Sequence, residues 1–280
     1  MKLLVLGGQG MAGHLIIEYF RRQGRHTVFY TTRDKSDEGG LLLDVTDCLK
    51  VEKLLEAVRP QVIINAVGVL NQFAENDKIN AYHINGFLPH RLQRMADSLG
   101  ARLIHISSDC VFLGSRGGYR EDDEPDGTSV YALTKALGEV RSPGHVTIRT
   151  SIIGPEIRSS GIGLMHWFMQ RKGTVQGYVN VLWNGVTTLE LAKAIDSLLD
   201  SSVSGLVHLA YPEKISKYEL LLLMQEIWNI TEVKIIPSDT PVLDRSIIST
   251  RTDWKYEVPH YREMLKEMEI WMRQKSSEAE

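Results

Sequence analysis

The stretch LLVLGGQGMAGHLI, from Leu3 to Ile16, decides how this chain folds. An apolar run from Lys2 to Leu6 ends at Gly7, as a parallel strand buried on both faces does. Leu15, Ile16, Tyr19 and Phe20 then recur at helical spacing, which predicts a helix from Met11 to Gln23. Strand, glycine turn and helix in that order give the G-x-x-G-x-x-G pattern a context that a glycine-rich turn alone lacks. Gly7 permits the tight turn, Gly10 lets the backbone approach a pyrophosphate, and Gly13 lets the helix pack closely. The helix start offers free N–H groups and partial positive charge, so Gly7, Gly10, Met11, Ala12 and Gly13 form the expected phosphate cradle.

Reading outward, strands and helices alternate. Thr27 to Thr31 and Leu41 to Leu43 read as strands. Thr46 or Asp47 caps a helix through Val51, Leu54, Leu55 and Val58, which stops before Pro60. Val62 to Ile64 is a strand, Ile79 to Leu99 a helix, Leu103 to Ile106 a strand, Val130 to Val140 a helix, and Val146 to Ile148 a strand. This rhythm predicts an α/β fold, a doubly wound parallel Rossmann sheet over residues 1–150. After about residue 150 the rhythm loosens, and residues 151–280 are expected to form a smaller α/β domain. A helix at 187–200 is expected to pack back on the first domain. Leu206 to Leu209 reads as a strand, and Ser216 with Glu219 makes a capping-box pattern before an apolar run. Tyr261, Met264, Leu265, Met268, Trp271 and Met272 stripe a last helix, which suits core packing or a subunit contact and leaves a homodimer open.

The composition narrows the function. At 280 residues the chain can bury a full core, and 43% hydrophobic with 24% charged residues is ordinary for a globular enzyme. A net charge of -3 without a long basic run argues against nucleic-acid binding. Cys48 and Cys110 are the only cysteines and have no metal-ligand spacing, so no metal is expected and a reduced, cytoplasmic setting is the natural reading. Met1 is followed so closely by the first strand that no room is left for a signal peptide, and no apolar run reaches membrane-spanning length.

Chemistry enters at two further places. The second strand ends in TTRDK, where an acidic residue would favour NAD by bonding the adenosine ribose. Arg33 instead suits a 2′-phosphate, which favours NADP, with Asp34 keeping NAD as the alternative. Asp44 and Val45 follow the third strand and are placed to meet adenine. Asn65, Ala66, Val67 and Gly68 end the fourth, where small side chains let ribose and nicotinamide approach. Tyr131 and Lys135 stand four apart on one helix and share a face, with Ser107, Ser108 and Asp109 upstream at a strand end. An ammonium beside the phenol is expected to lower its pKa, so that Tyr131 protonates a carbonyl oxygen, oriented by Ser108, as hydride arrives. Cys110 reads as a small apolar residue rather than a nucleophile.

The segments GGQGMAG, NAVG, ISSDCVF, GGYREDDEPDGTSVYALTKALGE, IRTS and GVTTLELA resemble the extended short-chain dehydrogenase/reductases. Within these the chain is most similar to the dTDP-4-dehydrorhamnose reductase family, from Lys2 to about Trp228. That resemblance implies a Rossmann domain with a small C-terminal domain for a nucleotide-sugar, and NADPH- or NADH-dependent reduction of a 4-keto-6-deoxyhexose for surface polysaccharide synthesis. It implies Ser108, Tyr131 and Lys135 as catalytic residues, with Ser107, Tyr131 and Lys135 also touching the cofactor. Ser108, Asp109, Arg149 and Trp183 would line the substrate. The related 4,6-dehydratases carry Thr-Asp-Glu where this chain has Ser108-Asp109-Cys110, so dehydration is disfavoured. GVLNQFAEND after the NAV step, Ile152-Ile153 in the RTS step and Trp183-Asn184-Gly185 depart from the reductase pattern, so a UDP-linked N-acetylated sugar competes with the dTDP-linked one. Two other readings are a nucleotide-sugar epimerase with tightly bound NAD and a non-catalytic NADP-sensing regulatory protein.

Overall fold

The computed structural model describes residues 1–158 and 161–278. In the first half the elements run β1 (Lys2–Leu6), α1 (Met11–Gln23), β2 (Thr27–Thr32), β3 (Leu41–Leu42), α2 (Cys48–Val58), β4 (Val62–Asn65), α3 (Asn71–Asn76), α4 (Lys78–Ala81), α5 (Leu88–Leu99), β5 (Arg102–Ile106), α6 (Val130–Leu137) and β6 (Val146–Arg149). The second half adds β7 (Ile152–Ile153), α7 (Leu164–Met169), β8 (Gly173–Tyr178), β9 (Val181–Trp183), β10 (Val186–Thr187), α8 (Thr188–Leu199), β11 (Gly205–His208), β12 (Ile215–Ser216), α9 (Lys217–Ile227), β13 (Val233–Ser238), β14 (Leu243–Asp244) and α10 (Tyr261–Glu278).

Seven strands form one parallel sheet in the order β11-β6-β5-β4-β1-β2-β3. Leu3, Leu4, Val5 and Leu6 have no exposed surface, as a strand covered by helices on both faces requires. The order reverses between β1 and β4, and the crevice beyond the carboxyl ends of these strands is where such sheets take ligands.

The two halves of the chain interlock. β11, from the second half, pairs with β6 in the main sheet, and α8 lies along α1, with Tyr19 Oη donating to Asp196 at 3.0 Å. One apolar cluster takes in Leu3 and Ile16 from the beginning of the chain and Leu265 and Met268 from its end. Small sheets β10-β7, β12-β9-β14 and β13-β8 build the remainder. α9 begins with a complete capping box between Ser216 and Glu219.

Two departures from the sequence reading bear on the site. The helix expected from Ile79 to Leu99 is interrupted by a π-helical turn at Tyr82–Phe87. Asn85 is held inside that turn: it accepts from Val69 N at 2.8 Å and donates to Val69 O at 2.9 Å and Thr134 Oγ1 at 3.1 Å. The helix expected to run to Val140 ends at Leu137 instead. Gly138 follows because a Cβ there would lie 1.9 Å from the Asn85 carbonyl oxygen.

Candidate active site

The glycine turn sits at the point where the strand order reverses. Gly7 has a φ of +88°, which glycine alone adopts readily. A Cβ on Gly13 would lie 2.1 Å from the Gly7 carbonyl oxygen, so the helix is pressed against the turn. Gly10 is different: a Cβ there would meet only Gly7 O, at 3.4 Å, and otherwise faces open space. No side chain caps α1, whose first amides therefore remain available to a ligand. An open concavity, free amides and a helix start fit the diphosphate of a dinucleotide, which Gly10, Met11, Ala12 and Gly13 would hold.

The end of β4 adjoins this turn, since a Cβ on Gly7 would touch Val67 at 3.1 Å and the Ala66 carbonyl at 3.2 Å. Asn65 is fully buried, accepting from Val67 N at 3.2 Å and bonding His105 Nδ1 at 3.1 Å. Its side chain shapes the bend, while half-buried Ala66 and Val67 and exposed Gly68 form the surface. Arg33 is exposed and makes no hydrogen bond or ion pair to the described residues. Asp34 turns to its own loop, accepting from Ser36 N at 2.9 Å and Ser36 Oγ at 2.7 Å, which hold its carboxyl below the usual range. Asp44 likewise accepts from Thr46 N and Thr46 Oγ1, and those bonds lower its pKa. Val45 is buried in the core beneath, so its side chain is not on the ligand surface.

The second cluster gathers where β5 ends and α6 begins. Ser129 caps α6, accepting from Ala132 N at 3.1 Å, and the helix brings half-buried Tyr131 and buried Lys135 onto one face. Ser108 neighbours the Tyr131 side chain and donates to Asp109 Oδ1 at 3.1 Å. Lys135 Nζ donates to the Ile106 carbonyl at 2.6 Å, and burial brings its pKa down to about 8.

Three expectations are corrected here. The phenol of Tyr131 is not lowered: burial raises its pKa, the Cys110 and Asp109 side chains add to the rise, and the neighbouring Ser108 opposes it only in part. Lys135 spends its proton on a backbone carbonyl instead. Ser107 does not offer its hydroxyl to a ligand, because it donates to Glu139 at 2.9 Å in the interior. Arg149 does not face substrate. It is completely buried, with Nε and Nη2 donating to Glu139 at 2.6 and 2.7 Å and its guanidinium 4.9 Å from the Phe112 ring centre. It supports the floor of the site.

Asp109 and Trp183 are joined by residues that the sequence did not single out. Lys217 Nζ lies 4.7 Å from the Trp183 ring centre, and its charge acts on Asp109. Arg245 donates from Nε to the Phe112 carbonyl at 2.9 Å and reaches to 3.6 Å from Cys110 Sγ. Burial raises the Asp109 carboxyl and pushes the Cys110 thiol up to about 12, an inert thiol at neutral pH. Lys217 had a legible signal, a lysine directly after the Ser216 cap. Arg245 lies in an irregular stretch with no pattern around it.

Residues 1–268 match the family model described as RmlD substrate binding domain. The chain belongs to that family. It is of the extended short-chain dehydrogenase/reductase type, as its motifs suggested. Among curated relatives, it is 26% identical over 268 residues to methionine adenosyltransferase 2 subunit beta of Bos taurus, covering 86% of this chain and 77% of that one. It is 29% identical over 233 residues to dTDP-4-dehydrorhamnose reductase of Mycobacterium tuberculosis, covering 78% and 72%. The fold is that of dTDP-4-dehydrorhamnose reductase from Bacillus anthracis, solved in complex with NADP, with a TM-score of 0.82 at 21% identity over 96% of this chain and 99% of that one.

Proposed function

We propose that this protein reduces the 4-keto group of a nucleotide-linked 6-deoxyhexose with NADPH. One observation carries the reading: Ser108, Tyr131 and Lys135 converge beside the strand-order reversal that also holds the glycine turn. NADPH, when bound, supplies the hydride to C4. Tyr131 gives its proton to the oxygen as negative charge builds there, and Ser108 orients that oxygen. Lys135 keeps its ammonium against the base of the site. Arg33, exposed and without a hydrogen bond or ion pair among the described residues, suits the 2′-phosphate of NADPH. The sugar is dTDP-4-dehydrorhamnose or a UDP-linked N-acetylated analogue, used for surface polysaccharide, and a cytoplasmic setting suits two free cysteines. A homodimer is the assembly we expect. The test is oxidation of NADPH, and of NADH in parallel, with each 4-keto sugar. Stoichiometric consumption with one sugar supports the reading, and none with either refutes it.

A second reading is favoured by the relatives that are subunits of methionine adenosyltransferase. On that reading the chain binds NADP and acts on a partner enzyme without turnover. Tight NADPH binding with no oxidation of it by any 4-keto sugar would select this reading. An epimerase would instead retain NAD through purification and need no added reductant.

A further inference from the structure

Lys217 is placed against the ordinary rules of its helix. It is the first residue of α9, where exposed amides already concentrate positive charge and an acidic residue is the favoured choice. It makes no hydrogen bond or salt bridge to the described residues, and burial lowers its pKa to about 8. The face of Trp183 and the nearby Asp109 are what attract it. Trp183 is itself 4% exposed, and its indole N–H has no acceptor among the described residues. Arg245 also acts on Asp109 by its charge and is bonded to a carbonyl and a thiol, but to no carboxylate among the described residues. Asp244, the other carboxylate on that loop, is taken by Lys214 at 2.6 Å. Around Asp109 there are thus two cations for one carboxylate, and the Trp183 ring that Lys217 covers carries a buried N–H without an acceptor among the described residues. A local violation of this sort is expected where a ligand completes the charge balance.

We propose that Lys217 and Arg245 form an anion-holding wall of the substrate pocket, so that the molecule offered to Tyr131 carries a phosphate or carboxylate group bound by these two side chains. The inference rests on the reading of this pocket as the substrate site. It identifies Lys217 and Arg245 as specificity-determining residues. The unpaired ammonium is the principal attachment, and Arg245 adds a planar donor at a fixed position, held by Phe112 O.

The experiment is calorimetric titration of the NADPH-saturated protein with thymidine diphosphate, uridine diphosphate, the two nucleosides and D-glucuronate. Parent protein, Lys217→Met, Lys217→Arg and Arg245→Lys are compared, with NADPH affinity measured first as a check of folding. The diphosphates are expected to bind about tenfold or more tighter than the nucleosides, and Lys217→Met to erase most of that preference while Lys217→Arg keeps it. Glucuronate binding that Lys217→Met abolishes would place a carboxylate there instead, and also supports the wall. If Lys217→Met loses NADPH binding, Lys217→Gln takes its place. A diphosphate preference unchanged in these variants overturns the inference and leaves the substrate pocket standing. Absence of binding by every compound to the parent protein overturns both.

Discussion

On the proposed mechanism, Tyr131 releases a proton in surroundings that hold it tightly. Burial, with Cys110 and Asp109 nearby, keeps the phenol protonated throughout the neutral range. For a reductase this is the useful state, since the acid is loaded before hydride moves. Tyr131→Phe keeps the ring and loses that proton. Turnover is expected to fall about 10²–10⁴-fold with NADPH affinity unchanged, as steady-state kinetics and cofactor titration would show. Parental turnover in this variant would remove Tyr131 from the mechanism. The alkaline limb belongs to Lys135, whose folded pKa of about 8 lies below its ordinary 10.5. Its charge is lost as pH rises through the folded value, so on the proposed mechanism reduction should fall to about half its plateau near pH 8 and decline further above it. The sign for stability is opposite. Between about 8 and 10.5 the unfolded chain binds the extra proton, so this residue's contribution to stability rises with pH. A pH–rate profile with no decline up to pH 9.5 would contradict the assignment.

At the scale of elements, the floor of the site is a packed ion pair. Ser107 after β5, Arg149 on β6 and Glu139 beyond α6 are joined by hydrogen bonds of 2.6 to 2.9 Å with almost no exposed surface. Arg149→Met would leave the Glu139 carboxylate only the Ser107 hydroxyl and the Arg141 guanidinium at 3.5 Å, and is expected to cost up to about 3–5 kcal/mol in urea denaturation. Adding Glu139→Gln should recover much of that loss, because that charge disappears. The same elements show how far the sequence could be read. Strand, glycine turn and helix were legible because each follows from local spacing, and so was the capping box at Ser216 and Glu219. The π-helical turn at Tyr82–Phe87 was not, because it depends on Asn85 reaching the separate segments at Val69 and Thr134. Ser107 and Arg149 stand in motifs that look like ligand contacts, yet their partner Glu139 lies outside both motifs. Tyr131 and Lys135 were legible as a pair, but the direction of the tyrosine shift depends on desolvation, which only packing reveals.

Over the whole molecule, the division at residue 150 does not separate two cores. The first 150 residues supply six strands of the main sheet, but β11 completes its edge and α8 covers α1. Leu15, Ile16 and Phe20 have at most 1% of their surface exposed, in a cluster that includes Leu191, Ile195 and Leu198 of α8. Removing the second half would leave β6 with an unpaired edge and the apolar face of α1 in water, which together favour aggregation over folding. The interlocking also has a functional consequence. β11 ends at His208, whose backbone N donates to Glu121 at 3.1 Å, and Glu121 Oε2 accepts from Thr250 at 2.7 Å. The stretch carrying Arg245 is thereby tied to the main sheet, so the proposed substrate side is positioned by the same core as the glycine turn. Chain 1–150 expressed alone is expected to be insoluble or to bind no NADPH. Intact protein should unfold in a single transition, with near-ultraviolet dichroism, tryptophan fluorescence and NADPH release sharing one midpoint. NADPH release well before the loss of tryptophan packing would show instead that the two halves unfold separately.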